Sequence, residues 1–550
     1  MKTKKLFSII QIIFVILAPI GSLHVHPEVF AQGSISSSQF LLDQAILGVN
    51  TLINEANISP TSAKWPRIVG SPPSSWSGIW PQYYYGYYWG TAGIGDVLLE
   101  FYSYTKNETY LEFAEQAAQY LIKEAENFSS DATFWNTSED QSSNYIGFKY
   151  GNVGIGTFLL HLYQSTQNIT YLETARRTLK TLEHEAITNS NMSYWGISIG
   201  DTLGTTGQTY GAAGVISLFL DAASIINDSS EKWIDYAIQG ARWIENISIS
   251  NTSTQDAQLR APWSPDINAQ LTGLGSGNAG IGMAFLKLFQ ATRDEMWLDR
   301  AIQVGNWLLF NQNNGSWVEG GIGYVTELDG RFPITGMDSG AAGIVRFLLD
   351  LYRESQEAAY AKSIQKALNW LILHKVKSNE GYKWPKVVGG KDQNVYLSGW
   401  SYGTAGIGEV FSLAAEAFGC PFFKEITLGA AQMLASQRNQ YGLFPVAEGE
   451  TRLTSFLTQY GYHLSFFDGL AGIARFFLNA AQRYDSPTLF PNVISCDYSA
   501  LPISNTTSVL DNRSEPGNEP KAVDIILSML SLILPVSVIL LVFYFQKRET

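Results

Sequence analysis

The sequence predicts an all-α fold: a closed α/α toroid of seven helical hairpins, a double-layered barrel with short loop or β-hairpin insertions, followed by a C-terminal transmembrane helix. Three observations predict it. A glycine pair recurs seven times, at Gly90/Gly93, Gly151/Gly154, Gly211/Gly214, Gly277/Gly280, Gly340/Gly343, Gly403/Gly406 and Gly469/Gly472, with the first glycines 60 to 66 residues apart. All but the last of these pairs open an apolar helical run followed by an amphipathic one. A lone amphipathic segment precedes the first pair, and the last pair opens an apolar helix with no outer partner after it. A fixed internal period decides architecture ahead of any single residue.

The elements follow in order. Lys2, Lys4 and Lys5 precede an apolar run from Leu6 to Ile20, with small residues around Ala31. Residues 1–32 therefore read as a secretory signal peptide; left uncleaved, the same run is a membrane anchor. Residues 33–485 make the toroid ectodomain. Within it, Gln39 to Ala56 is the lone amphipathic helix. In the first repeat the glycines open a helix through Val97, Leu98, Leu99, Phe101 and Tyr102, apolar nearly all round. After a polar turn, Tyr110, Phe113, Ala114, Ala117 and Leu121 form a helical stripe opposite Glu112, Glu115 and Lys123. The first helix is expected inside and the second outside. The final pair opens Leu470 to Gln482, so one orphan outer helix and one orphan inner helix complete the seventh hairpin. Residues 486–522, whose Ser504 to Lys521 stretch is rich in Asn, Ser, Pro and Glu, read as a disordered stalk. Residues 523–545 are apolar enough from Ile525 to Phe545 to span a bilayer, and Pro535 is tolerable there. Gln546, Lys547 and Arg548 place the tail, 546–550, in the cytoplasm. The expectation is a single-pass protein of the cell membrane with its large domain outside the cell.

Two features agree with export. There are 12 Asn-X-Ser/Thr sequons: Asn57, Asn107, Asn127, Asn136, Asn168, Asn191, Asn227, Asn246, Asn251, Asn314, Asn505 and Asn512. Such sequons mark the surface loops of glycoproteins, although hydroxyls at Thr109, Thr170 and Ser229 also suit helix caps. The only cysteines are Cys420 and Cys496. In an oxidising compartment they are a disulfide candidate that pins the segment after the last helix; two free thiols are the alternative. The net charge of −13 argues against a nucleic-acid partner.

The glycines let inner helices converge on a narrow axis. All seven inner N-termini face one end, where free amides and dipoles are expected to favour anions or carboxylates. An aromatic residue precedes each pair in a turn-rich loop: Trp65, Trp135, Trp195, Trp263, Trp317, Trp384 and Phe444. These loops read as short hairpins. Their aromatics either plug the toroid or form stacking platforms for sugar or peptide.

Seven Gly-X-X-Gly-Ile/Val motifs in register, the clearest being Gly403-Thr-Ala-Gly-Ile-Gly408 after Gly399-Trp-Ser-Tyr402, resemble the lanthionine synthetase C-like family. The resemblance covers the whole ectodomain. It implies an α/α toroid, and it includes zinc enzymes that add a cysteine thiol to a dehydrated Ser or Thr of a peptide. In those enzymes two cysteines and a histidine hold zinc. The positions that correspond here are Ser401, Phe467 and Asp468, and a further family histidine corresponds to Ser276. Tyr402 matches the family pattern. Ser401 and Phe467 cannot supply thiolates, and one carboxylate is a poor zinc site. The chain is thus expected to be a divergent member without the zinc ligands, metal or cofactor. Cys420 and Cys496 lie in the wrong segments to substitute. His24 and His26 fall in or near the signal, and His161, His184 and His374 lie on helical stretches. Only His463 stands close before a repeat glycine.

Residues just before the repeat glycines are expected to line the mouth: Tyr88-Trp89, Lys149-Tyr150, Thr209-Tyr210, Gly275-Ser276, Asp338-Ser339, Ser401-Tyr402 and Phe467-Asp468. Trp89, Tyr150, Tyr210, Trp400 and Tyr402 are candidate ligand-binding residues. Asp338, Asp468 and His463 are candidate catalytic residues, since paired carboxylates do acid/base work on glycosidic bonds. Some six-hairpin α/α toroids are glycosidases, an analogy of fold alone. The competing reading is that Asp338 and Asp468 cap their helices. Three functions remain open: a pseudoenzyme that binds a peptide or glycan, a zinc-independent carbohydrate-active hydrolase or lyase, and a structural head on a stalk.

Overall fold

The computed structural model describes residues 36–69, 82–139, 143–228, 230–247, 271–318, 332–390, 392–448 and 462–498. The signal, most of the stalk (from residue 499), the transmembrane segment and the tail lie outside the described residues, as do Ser229, Asn251, Trp263, Asn505 and Asn512. Among the described residues no helix is long and apolar enough to cross a membrane.

From Ser37 the chain makes one compact unit. Among the described residues fourteen helices alternate between two layers. The outer helix α1 (Ser37–Asn54) comes first. Six inner–outer pairs follow: α2 (Thr91–Thr105) and α3 (Glu108–Lys123), α4 (Asn152–Thr166) and α5 (Ile169–His184), α6 (Ala212–Ile226) and α7 (Trp233–Asn246), α8 (Asn278–Thr292) and α9 (Glu295–Phe310), α10 (Ala341–Ser355) and α11 (Ala358–Leu373), α12 (Thr404–Phe418) and α13 (Pro421–Gln437). The inner helix α14 (Leu470–Tyr484) ends the series and packs on α1, which completes the seventh hairpin. Each inner helix touches the next, and α14 touches α2, so the inner layer closes.

Composition explains the two layers. In α2 the run from Thr91 to Leu99 is buried along with Phe101, and burying each large apolar side chain stabilises by about 1.5–3 kcal/mol. In α3 only the stripe Tyr110, Ala114, Ala117, Ala118, Tyr120 and Leu121 is buried, while Glu108, Glu112 and Lys123 face water. The second glycine of a pair is required by close approach. A Cβ on Gly93 would stand 1.9 Å from the Tyr87 carbonyl oxygen, and one on Gly406 would stand 1.9 Å from that of Trp400.

Closure is also written in the backbone. The N–H of Tyr88 donates to the carbonyl of Lys149 (3.0 Å), Lys149 to Thr209 (3.1 Å), Thr209 to Gly275 (2.8 Å), Gly275 to Asp338 (2.7 Å), Asp338 to Ser401 (2.8 Å), Ser401 to Phe467 (3.0 Å), and Phe467 back to Tyr88 (2.9 Å). One residue from each repeat thus joins an unbroken ring at the N-terminal end of the inner helices. The last loop is further tied to the first by β12 (Tyr462–His463), which pairs antiparallel with β3 (Ile68–Val69).

The loops carry the expected small hairpins, among them β1 (Asn57–Ile58) with β2 (Ala63–Lys64), β4 (Glu126–Asn127) with β5 (Thr133–Phe134), β6 (Ile187–Asn189) with β7 (Met192–Tyr194), and β8 (Val376–Ser378) with β9 (Gly381–Lys383). Their tryptophans are structural. The indole N–H of Trp65, Trp135, Trp195, Trp317 and Trp384 donates to the carbonyl of Leu52, Leu121, Leu182, Leu308 and Leu371 in turn, each at 2.7 Å. All five are buried, so they pin loops to outer helices and offer no stacking platform.

One local expectation is corrected. The outer helices α3 and α5 are capped by the sequon asparagines Asn107 and Asn168, whose Oδ1 accepts from the backbone N–H of Thr109 and Thr170; the threonine hydroxyls do not cap. After α14 the chain folds back. The N–H groups of Leu489 and Phe490 donate to the carbonyls of Glu416 and Ala417, and Tyr498 stacks on Phe422 at 4.9 Å. This brings exposed Cys496, as a free thiol, to buried Cys420; burial and then Cys496 push the Cys420 thiol up to about 12.

Candidate functional site

The backbone ring fixes which side chains meet at the axis. Its members are the first residues of the seven predicted lining pairs, and the second residues surround them. The structure therefore brings Asp338, Asp468, Ser401, Phe467, Tyr402, Trp89, Tyr150 and Tyr210 to one place.

Two features of that place differ from expectation. Loop carbonyls take leading amides of every inner helix there. The N–H groups of Thr91 and Ala92 donate to the carbonyls of Tyr84 and Tyr85, those of Ala341 and Ala342 to Ile334 and Thr335, and equivalent bonds recur around the ring. Each loop thus occupies amides of its own helix, which weakens that end as an anion site. Asp338 and Asp468 are not caps either, because the N-cap positions are Gly340 and Gly469, with no side-chain cap bond.

The carboxyls are held by other groups. Asp338 is buried, and its Oδ2 accepts from the Tyr402 hydroxyl at 3.0 Å and the Ser339 hydroxyl at 3.1 Å. Its Oδ1 has no hydrogen-bond partner among the described residues. Burial pushes the carboxyl above the usual range, and Asp468 adds to this against the opposing pull of Lys149 and the two hydroxyls. Asp468 is partly exposed and accepts from the Ser401 hydroxyl at 3.0 Å. Burial also raises it, with Arg67, Ser401 and Lys149 opposing.

Two cations complete the site, and neither was singled out from sequence. The Lys149 ammonium lies among ring faces, 4.8 Å from the centroid of Phe467, 5.0 Å from Trp89, 5.1 Å from Tyr150, 5.6 Å from Tyr210 and 6.0 Å from Tyr88. Burial pulls it down to about 8, although Asp338 and Asp468 pull the other way. The Arg67 guanidinium lies 3.7 Å from the Trp89 ring, where cation–π attraction orients it. Arg67 immediately precedes β3, the segment that closes the ring against β12. The available signals were Lys149, the one basic residue of the lining pairs, and Arg67 two residues after Trp65 in the first turn-rich loop.

The remaining predicted residues separate from this group. Trp400 is corrected: its indole N–H donates to Glu409 Oε2 at 2.6 Å and its ring packs on Phe466 at 5.0 Å. It faces the inner-helix core, as does Tyr87, which donates to Asp96. His463 is buried with its Nδ1 unpartnered. Burial and the nearby Arg67 hold it well below the ordinary histidine range, so it is a neutral neighbour of Arg67. Among the described residues it makes no hydrogen bond to either carboxyl.

The positions that correspond to the family's zinc ligands converge, but their chemistry does not fit the metal. Ser401 spends its proton on Asp468. Phe467 stacks on Tyr88 at 4.5 Å. The Lys149 ammonium stands against the same phenyl ring, and a fixed cation there opposes a second one. Among the described residues no group of three His, Cys, Asp or Glu is placed to hold a metal ion.

A family model described as lanthionine synthetase C-like protein matches residues 41–239 and 329–443. That is more than half of the chain, and the chain belongs to this family. No curated protein matches it. Similar solved structures include D-mannose isomerase, at 14% identity and TM-score 0.46 over 64% of this chain and 89% of that one. Cellobiose 2-epimerase from Bacillus thermoamylovorans B4167 is 12% identical, with TM-score 0.41 over 55% of this chain and 80% of that one. The GH76A alpha-1,6-mannanase from Salegentibacter sp. HEL1_6 is 13% identical, with TM-score 0.43 over 80% of this chain and 99% of that one.

Proposed function

We propose that this lanthionine synthetase C-like chain binds a glycan at the ring mouth and works on it by acid/base chemistry, without the family's zinc–thiol step. The observation that supports this reading is the Asp338 carboxyl, buried and gripped through Oδ2, with Oδ1 left without a partner. A buried polar atom without a partner is a rare feature that calls for an occupant. Burial keeps a proton on Asp338 to higher pH than on a surface aspartate, which suits a proton donor. Asp468, partly exposed and raised by burial with Arg67 opposing, is the partner carboxylate. Two carboxyls in unlike surroundings divide the roles of acid and base.

A second reading has its own support. Tyr88, Trp89, Tyr150 and Phe467 are each no more than 5% exposed, a tight lining that suits a pseudoenzyme holding the end of a glycan or peptide without turnover. The toroid stands outside the cell in both readings, anchored by residues 523–545. Support comes from Asn57, Asn107, Asn127, Asn168, Asn191, Asn227, Asn246 and Asn314, all exposed; Asn136 is half-buried and donates to Glu126. The test is turnover and binding across glycans and peptides by the wild type and Asp338→Asn. Turnover abolished by the substitution supports the enzyme, and binding without turnover supports the pseudoenzyme. Activity unchanged in Asp338→Asn removes both.

A further inference from the structure

We propose that Lys149 Nζ is a nucleophile that forms an imine with the carbonyl carbon of an open-chain, aldehyde-bearing sugar at the ring mouth. The proposal rests on the reading that the mouth takes carbohydrate, and it names the reactive form taken. Lys149 has an unusual setting. Its backbone is fixed on both sides by the ring, donating to Thr209 and accepting from Tyr88. Its side chain is 9% exposed, and five aromatic rings surround the amine at 4.8 to 6.0 Å. Among the described residues it makes no ion pair within 4 Å. Burial in an apolar pocket is what frees the amine lone pair, and Arg67 adds to it against the pull of Asp338 and Asp468.

The charged and titratable groups whose influence reaches Lys149 are Asp338, Asp468 and Arg67. With its proton gone to solvent, the amine attacks the aldehyde carbon. A carbon–nitrogen bond forms, and one N–H proton passes to the former carbonyl oxygen. Asp338, as the neutral acid, then protonates that hydroxyl. The carbon–oxygen bond breaks and water leaves. The products are the protonated imine of Lys149 and the Asp338 carboxylate, so atoms and charge balance without a co-reactant. The Asp338 oxygen without a hydrogen-bond partner is available for that transfer.

The experiment incubates the full-length protein with D-glyceraldehyde and cyanoborohydride near pH 7 and follows each lysine by peptide mass. The peptide bearing Lys149 is expected to gain the reduced adduct at least ten times faster than any other lysine peptide. The Asp338→Asn variant is expected to slow that reaction tenfold while leaving the other lysines unchanged. Wild-type Lys149 reacting no faster than exposed lysines overturns the proposal, whatever the variants do. Because the probe is a small aldehyde, preferential labelling stands even where no glycan is bound. Glycan turnover without preferential labelling sinks the imine and leaves the acid/base reading intact.

Discussion

Gly275 is the one member of the backbone ring without a side chain, and adding a methyl group there tests whether Asp338 is held as described. A Cβ on Gly275 would stand 2.3 Å from Asp338 Oδ1, 2.8 Å from its Cγ and 2.9 Å from Thr209 Oγ1. Ordinary contact begins near 3.4 Å, so the carboxyl must retreat by roughly 1 Å. Its Oδ2 is fixed at 3.0 Å from Tyr402 and 3.1 Å from Ser339, and a shift of that size breaks at least one bond. Gly275→Ala should therefore destabilise by about 1–3 kcal/mol, the range for one hydrogen bond to a buried carboxyl. The two shortest contacts are with Asp338 atoms, so Asp338→Ala removes them and leaves that with Thr209. Urea unfolding of the wild type, both single variants and the double variant gives the coupling. A coupling of about 1–3 kcal/mol is expected, whereas additivity within about 0.5 kcal/mol refutes the geometry.

Three further predictions follow from other parts of the fold. His161 takes Asp96 at 2.8 Å, and although burial opposes the charge, Asp96 raises the histidine to about 9. Its folded value lies above the unfolded one, so the stabilisation is full below about pH 6.5 and disappears as pH rises through 9; the stability gap between wild type and His161→Gln should shrink over that window, and a flat gap contradicts the pairing. Trp384→Phe leaves the Leu371 carbonyl without its donor and should cost about 1–3 kcal/mol in thermal unfolding, with mouth binding unchanged. Cys420 and Cys496 should appear as one linked peptide in unreduced digests of exported protein, and Cys496→Ser should lower stability by about 2–4 kcal/mol; free thiols on that material would overturn the extracellular reading of the pair.

Architecture was legible because it repeats. Seven glycine pairs gave the inner helices, and the orphan segments Gln39–Ala56 and Leu470–Gln482 gave the closing hairpin, since closure needs only counting. A further glycine stands four residues before the pair in six repeats, at Gly86, Gly147, Gly207, Gly273, Gly336 and Gly399, with Ser465 in the seventh. It lets the next loop pass at 2.4 to 2.7 Å from its Cβ position. The lining pairs were also legible, because they hold a fixed offset from the glycines. Side-chain direction was not. Trp400 and Ser401 are neighbours in sequence, yet one turns to Glu409 and the other to Asp468, a choice set by packing around the ring. Arg67 could not be placed from its own repeat because it arrives through the pairing of β3 with β12. Helix-end chemistry misled for a related reason. The loop carbonyls that take the inner-helix amides are backbone groups, and sequence does not display their partners.

We propose that function sits at the ring mouth and uses no zinc. The most direct measurement determines zinc content and glycan and peptide array binding on one preparation of full-length protein, beside an Asp338→Asn, Asp468→Asn double variant. No stoichiometric zinc is expected, with selective glycan binding that the double variant loses. Stoichiometric zinc, or binding that survives in the double variant, would contradict the proposal.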